Sequence, residues 1–313
     1  MSRRHYSSAV PRSAYSLAAL AAAAVPALDP RGVRMLAGHE GEDVAEITDI
    51  HGSTWTVRAP SSPAASAALE GQLELAQMLA DANAAGSIPF TVPQPQGWVD
   101  LPDAGRAVVM PPLVGQGLDV TSLRPGVGLA ASLGRAIGSL HHTPVSSLDH
   151  YRLPTVTSSV YRSRRLEELD QAAATGYVPV PLLRRWEGLF EDSSLWRYQP
   201  VLLHGDLSAE HILVHDSQVD TITGWDQARI ADPADDLSWL LTSAPEQATE
   251  TIIQAYLLSR PGLDEPRLEE RALLLGELAI ARWLVYGVHH GLRDVIREAQ
   301  AMLKDLNEVL SDG

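Results

Sequence analysis

Strand-forming and helix-forming sequence are segregated along this chain, and that order limits the folds open to it. Residues 31–60 read as strands, with apolar runs at 44–47 and 54–57 flanking the turn signal His51-Gly52-Ser53. Gly38-His39-Glu40-Gly41 reads as a hairpin tip. Residues 63–85 read as one helix, with Leu69, Leu73, Ala76 and Leu79 at helical spacing. A Pro/Gly-rich section, 89–105, leads into the apolar run Ala107-Val108-Val109-Met110. Pro111-Pro112-Leu113-Val114-Gly115 is then a breaker cluster and the best candidate hinge. Helices dominate afterwards, at 125–142, 160–174, 181–192, 245–258 and 266–311, interrupted by short strands at 201–203 and 212–214. A parallel sheet would need strands and helices in alternation, so the expected class is α+β. The expected organisation is an N-lobe over 1–110, a hinge at 111–115 and a helical C-lobe over 116–313.

The 313 residues suit about two domains or lobes. With no cysteine, disulfides, thiolate metal sites and cysteine nucleophiles are excluded. A formal charge of −15 repels polyphosphate, so nucleic acid is not an expected partner. The sole lysine is Lys304, which rules out any mechanism that needs a lysine earlier in the chain. Arg3 and Arg4 precede an Ala/Leu run at 17–25, which resembles an export signal but is weakly apolar. It reads better as a packed helix with Ser16 as N-cap and Pro26 near its end. A cytoplasmic monomer without a membrane partner is expected.

The chemistry concentrates in His204-Gly205-Asp206-Leu207-Ser208-Ala209-Glu210-His211-Ile212-Leu213. An apolar strand delivers a Gly-flanked carboxylate onto a loop, a placement suited to a general base, and His211 follows as a possible metal ligand. A second segment is Gly224-Trp225-Asp226-Gln227-Ala228-Arg229-Ile230-Ala231-Asp232-Pro233-Ala234-Asp235-Asp236-Leu237.

Together these segments resemble the aminoglycoside/choline kinase-like phosphotransferases, a branch of the protein-kinase fold. The resemblance implies a bilobal structure, with a small β-rich N-lobe carrying one main helix and a larger helical C-lobe. It implies Mg²⁺ and GTP or ATP as phosphate donor, and a small-molecule hydroxyl as acceptor. Asp206 would orient that hydroxyl or take its proton, and His211 and Asp226 would hold metal. Arg58, Val109 and Met110 would contact the nucleotide. His204, Asp232 and Asp236 would support the catalytic loop. Histidine at 211, where most members carry Asn, resembles the macrolide 2′-phosphotransferases, which favour GTP. That makes a macrolide 2′-hydroxyl the expected acceptor, with an aminoglycoside as the alternative.

The chain departs from the family pattern at Gly224, where the main metal-binding Asp is expected. Asp226, which would share a strand face with residue 224, and Glu210 are the candidate replacements. Without one, the chain would be a nucleotide- or ligand-binding pseudokinase with little turnover. Arg58 stands where the family has a nucleotide-contacting lysine, and Gln72 falls where the partnering helix acid is expected, between Glu70 and Glu74. Elsewhere, His141-His142 reads as helix-dipole compensation, and His289-His290 as packed or solvent-facing. The Glu-rich stretch 264–277 reads as a solvated helix face. Trp239, Leu240, Leu241, Trp283, Leu284 and Tyr286 are expected to line an apolar acceptor pocket.

Overall fold

The computed structural model describes residues 11–38, 41–102, 105–151, 153–262, 265 and 267–311. The chain forms two compact units. One runs up to Gln116 and includes Asp220–Thr223; the other comprises Gly117–Val219 and the residues from Gly224 onward.

In the first unit, α1 (Ala14–Ala24) begins at Ser13 and not at Ser16, because the Ser13 hydroxyl accepts the Ser16 amide at 3.2 Å. Strands β1 (Pro30–Leu36), β2 (Glu42–Asp49), β3 (Thr54–Pro60), β4 (Gly97–Asp100) and β5 (Arg106–Met110) form one antiparallel sheet in the order β1-β2-β3-β5-β4. Alternation sends Ala45, Ile47, Val57, Ala59, Ala107 and Val109 to one face, where they pack with Leu17, Ala21, Val25 and Leu28. The Ala-rich run at the start of the chain is therefore a core helix. The expected hairpin tip at His39-Glu40, and Arg3 and Arg4, lie outside the described residues. Helix α2 (Pro63–Ala84) starts at the Ser62 cap and buries Leu69, Leu75, Ala76 and Leu79; Leu75 takes the place expected of Leu73. Strand β4 lay hidden in the Pro/Gly-rich section, since four residues are too few to show a period.

A two-residue strand, β6 (Gln116–Gly117), precedes helix α3 (Leu129–His141), which starts four residues later than expected because Gly126 and Gly128 adopt positive φ. Helices α4 (Ser158–Ala174) and α5 (Val180–Glu191) lead to β7 (Val201–Leu203). Strands β8 (Ile212–His215) and β9 (Gln218–Ile222) are joined through Asp216 and Ser217, both at positive φ. Strand β10 (Arg229–Ala231) pairs antiparallel with β7. Helices α6 (Ala234–Ser243), α7 (Glu246–Leu258), α8 (Leu268–His290) and α9 (Arg293–Ser311) complete the unit. The periodic stretch 266–311 is thus two helices, broken at Gly291. Helix α8 is the one helix among the described residues long and apolar enough to cross a membrane, and half of that window is buried.

The Glu-rich stretch is solvated only in part: Glu269 is exposed and Glu270 half-buried, but other charged residues are not. Arg271 is fully buried and bonds Asp232 at 3.0 Å and Glu265 at 3.2 Å. Glu277 is buried and accepts from Trp186 Nε1 at 2.7 Å. Buried charges survive by pairing, and a sequence pattern shows the charge without its partner.

Candidate active site

Strand β7 ends at Leu203, and the residues that follow form the loop that carries Asp206. Gly205 has φ 88°, and a Cβ there would lie 2.1 Å from the Gln227 carbonyl oxygen. Only glycine fits this backbone approach. Asp236, in the first turn of α6, accepts the amides of His204 at 2.7 Å and Gly205 at 2.9 Å. Arg229 donates from Nη1 to the Gly205 carbonyl at 2.9 Å, and from Nη2 to Asp235 at 2.8 Å. The loop backbone is therefore held through both its donors and its acceptor. The His204 ring is buried and its Nδ1 accepts the Asp206 amide at 3.3 Å. The Asp206 carboxylate itself is exposed, with 70% of its side chain accessible.

Asp236 is anchored in turn by His141 Nε2 at 3.2 Å, and His141 Nδ1 lies 3.0 Å from the Tyr256 hydroxyl. His141 is a buried hydrogen-bonding residue and not the dipole-compensating one expected at a helix end; its neighbour His142 is exposed. Burial pushes the His141 imidazole below its ordinary range. Burial alone would raise the Asp236 carboxyl, but His141 and the loop amide of Gly205 outweigh it and hold it down. Arg260 Nη1 also donates to Tyr256, and Arg260 lies 3.8 Å from Glu265, which bonds Arg271. A buried polar chain thus runs from the Asp206 loop to Asp232. Asp232 does not touch the loop. It accepts the Ala234 amide at 3.0 Å, starting α6, and pairs with Arg271; burial raises its carboxyl and Arg271 opposes the rise. Arg229, His141 and Arg271 escaped the sequence reading because their partners lie 24, 95 and 39 residues away.

The second segment differs from expectation. Strand β9 stops at Ile222, Gly224 is left-handed at φ 79°, and Trp225–Gln227 is a 3-10 turn. Residues 224 and 226 therefore share no strand face, and the expected reach of Asp226 toward position 224 loses its basis. A Cβ on Gly224 would lie 2.4 Å from His211 Nδ1 and 2.5 Å from His211 Cε1. The imidazole fills the space of the missing side chain. His211 Nε2 lies 3.9 Å from Asp206 Oδ2, and Glu210 is exposed on the adjoining 3-10 turn Ala209–His211. Among the described residues no group of three or more His, Asp or Glu is placed to hold a metal ion. With a nitrogen donor at 211 and no carboxylate possible at 224 beside it, the residues present do not fit the Mg²⁺ seat that the resemblance implies.

In the first unit, Arg58 on β3 forms a two-pronged pair with Glu42 on β2, at 2.9 and 3.1 Å. The expected helix acids do otherwise: Glu70 binds Arg106 at 2.6 and 2.7 Å, and the buried Gln72 Oε1 has no hydrogen-bond partner. Val109 is buried on β5, opposite Val57, and Met110 is half-buried opposite Thr56.

The second unit also contains a cavity of about 700 Å³ between α6, α8 and α9, lined in part by Trp239, Thr242, Glu277, Trp283, Glu298 and Met302. Leu240, Leu241 and Leu284 are buried in the core and do not line it, while Tyr286 stacks on Trp283 with ring centroids 5.4 Å apart. His289 and His290 face solvent.

Comparison with known proteins agrees with this architecture. An uncharacterized protein YcbJ of Bacillus subtilis (strain 168) is 25% identical over 133 residues, 42% of this chain and 44% of the relative. The match thus spans less than half of that relative's length. Among solved structures, the apoenzyme of macrolide 2′-phosphotransferase MphH from Brachybacterium faecium superposes with a TM-score of 0.68 at 24% identity, covering 94% of this chain and 98% of that one. A macrolide 2′-phosphotransferase type I gives 0.69 at 23%, covering 92% and 96%. APH(2″)-IIIa in complex with GDP and kanamycin gives 0.69 at 20%, covering 93% and 97%. These show a shared kinase-like fold, with a sheet-bearing N-terminal and a helical C-terminal region. Residues 47–271, a span that includes the Asp206 loop and Asp236, match the phosphotransferase enzyme family, and the chain belongs to that family.

Proposed function

We propose that this chain transfers the γ-phosphoryl group of GTP or ATP to a hydroxyl of a small molecule, the 2′-hydroxyl of a macrolide being the favoured acceptor. The observation that carries the reading is the Asp206 loop. Its carboxylate is solvent-facing while its backbone is held by Asp236 and Arg229. Phosphoryl transfer asks a protein mainly for positioning and charge stabilisation, and a fixed, accessible carboxylate supplies the first. Asp206 orients the acceptor hydroxyl and accepts its proton as the oxygen attacks phosphorus. Arg58, Val109 and Met110 are assigned to the nucleotide, with Arg58 giving a guanidinium fork in place of a lysine. No step here runs through a metal ion.

The cavity supports a macrolide over an aminoglycoside. Its size suits a large ligand, and Trp239, Trp283 and Met302 make its walls apolar, with the exposed Glu298 available to an amine. The macrolide and aminoglycoside phosphotransferases among the structural neighbours set the range of acceptors to test. A second reading, a nucleotide-binding pseudokinase, is favoured by one observation: the imidazole of His211 where a metal carboxylate would stand.

One experiment separates the two. Purified protein is incubated with Mg²⁺, GTP or ATP, and a panel of macrolides and aminoglycosides, and products are read by mass spectrometry. A phosphorylated macrolide that vanishes in Asp206→Ala establishes the transferase. Nucleotide binding without product from any acceptor favours the second reading or an acceptor outside the panel.

A further inference from the structure

We propose that Gly224 and His211 are one interlocked position: the imidazole occupies the volume that a side chain at 224 requires, so this chain has replaced a cation-binding carboxylate with a packed ring. The inference rests on the family assignment for what position 224 would otherwise hold. The interlock itself rests on geometry. Three atoms of the ring, Nδ1, Cε1 and Cγ, lie 2.4, 2.5 and 2.9 Å from an ideal Cβ on Gly224. Real Cβ atoms do not approach other atoms so closely, and the clash is with a side chain, not with backbone. His211 has little room to retreat. Three-quarters of its side chain is covered, and its ring centroid lies 5.4 Å from that of the buried His204, which in turn packs 4.7 Å from Trp225.

Replacing Gly224 with Asp therefore does not rebuild a metal site in this chain. The new carboxylate and the imidazole compete for one space. Shrinking residue 211 to Asn frees that space and supplies an amide oxygen, a harder donor for a divalent cation than imidazole nitrogen. The two changes together are required; either alone fails.

A double-mutant cycle on the full chain tests this, using wild type, Gly224→Asp, His211→Asn and the double variant. Positive φ at 224 strains any L-residue, but that cost is common to both backgrounds and cancels in the cycle. Thermal unfolding and Mn²⁺ binding, with Mn²⁺ alone as the probe, are measured for all four. Gly224→Asp is expected to lower the melting temperature by about 5 °C or more when His211 is retained, and by far less when it is combined with His211→Asn. Only the double variant is expected to gain Mn²⁺ affinity, by at least about tenfold over the other three. Equal destabilisation in both backgrounds would overturn the interlock. So would a double variant that fails to gain Mn²⁺ binding, or a wild-type Mn²⁺ site that His211→Asn abolishes. Binding of a fluorescent GTP analogue is followed in parallel. Its absence from wild type counts against the nucleotide-dependent function and leaves the cycle readable.

Discussion

Gly205 and Gly224 both sit at positive φ, 88° and 79°, in the two segments of the candidate site, and in both a Cβ would collide with a neighbour. The neighbours differ in kind. At Gly205 the nearest obstacle is the Gln227 carbonyl at 2.1 Å, part of the backbone that leads into β10, with the Arg229 Nη1 beside it at 2.3 Å. At Gly224 it is the ring of His211. Backbone obstacles are fixed by the fold, whereas side-chain obstacles can be substituted. The Asp206 loop is thus locked by architecture, and the turn at 224 by one exchangeable residue. That contrast makes the transferase and pseudokinase readings separable by mutation.

The comparison breaks most directly at Gly205. Gly205→Ala combines a left-handed alanine with an overpacked backbone contact and is expected to cost about 4 kcal/mol or more of stability. No side-chain change should rescue it, because the nearest obstructing atom belongs to the main chain. Urea unfolding of Gly205→Ala, alone and paired with Gln227→Ala, checks this: rescue by the second change would show that the loop is held less rigidly than its geometry states. Asp236→Ala comes next. It strips the His204 and Gly205 amides and His141 of a shared buried partner, and about 3 kcal/mol of destabilisation is expected. Asp236→Asn keeps the shape but offers one acceptor oxygen for three bonds, so it should fall between wild type and alanine in the same unfolding experiment.

Sequence showed these sites unevenly, and the unevenness has physical causes. The Asp206 loop was legible because its requirements are local: an apolar strand, a glycine for a tight turn and a carboxylate, all within six residues. The β-rich first unit and the helical second unit were legible from periodicity. Position 224 was legible as a departure but its geometry was not, because whether β9 continues through 224 depends on tertiary packing. Arg58 was legible as a strand arginine, yet its Glu42 partner lies across the sheet. Of the buried polar chain from Asp236 to Asp232, only the support that Asp236 gives the Asp206 loop was read; its links through His141 and Arg271 were not. A charged residue on a helix looks solvated in sequence, and only the fold brings Arg271 against Asp232.

That buried chain makes the loop support sensitive to acid. The groups facing His141 are Asp236, Tyr256 and Arg260. Burial holds the imidazole below its ordinary 6.5. The unfolded chain therefore takes up a proton near that pH which the folded chain refuses. Stability from this group is complete above the unfolded value and is lost as pH falls below it toward the folded value. The loss is at most about 1.4 kcal/mol per pH unit for a single proton. Urea midpoints measured between about pH 7.5 and 5 for wild type and His141→Asn should diverge, the variant having the shallower dependence. Parallel curves would mean that His141 titrates as freely in the folded protein as in the unfolded one.

The smallest expected change in stability belongs to Asp206. Its carboxylate is 70% exposed, and only its backbone amide takes part in the loop's hydrogen bonding, to His204 Nδ1. Asp206→Asn should leave the unfolding free energy within about 0.5 kcal/mol of wild type. If the chain is a transferase, the same change should lower the rate of phosphoryl transfer by about 10²–10⁴-fold, with nucleotide affinity little altered. A residue kept only as a loop turn would show the reverse, a shift in stability with no loss of turnover. The measurement therefore reads the function of the loop apart from its structure, which Gly205→Ala and Asp236→Ala cannot do because both disturb the backbone that presents Asp206.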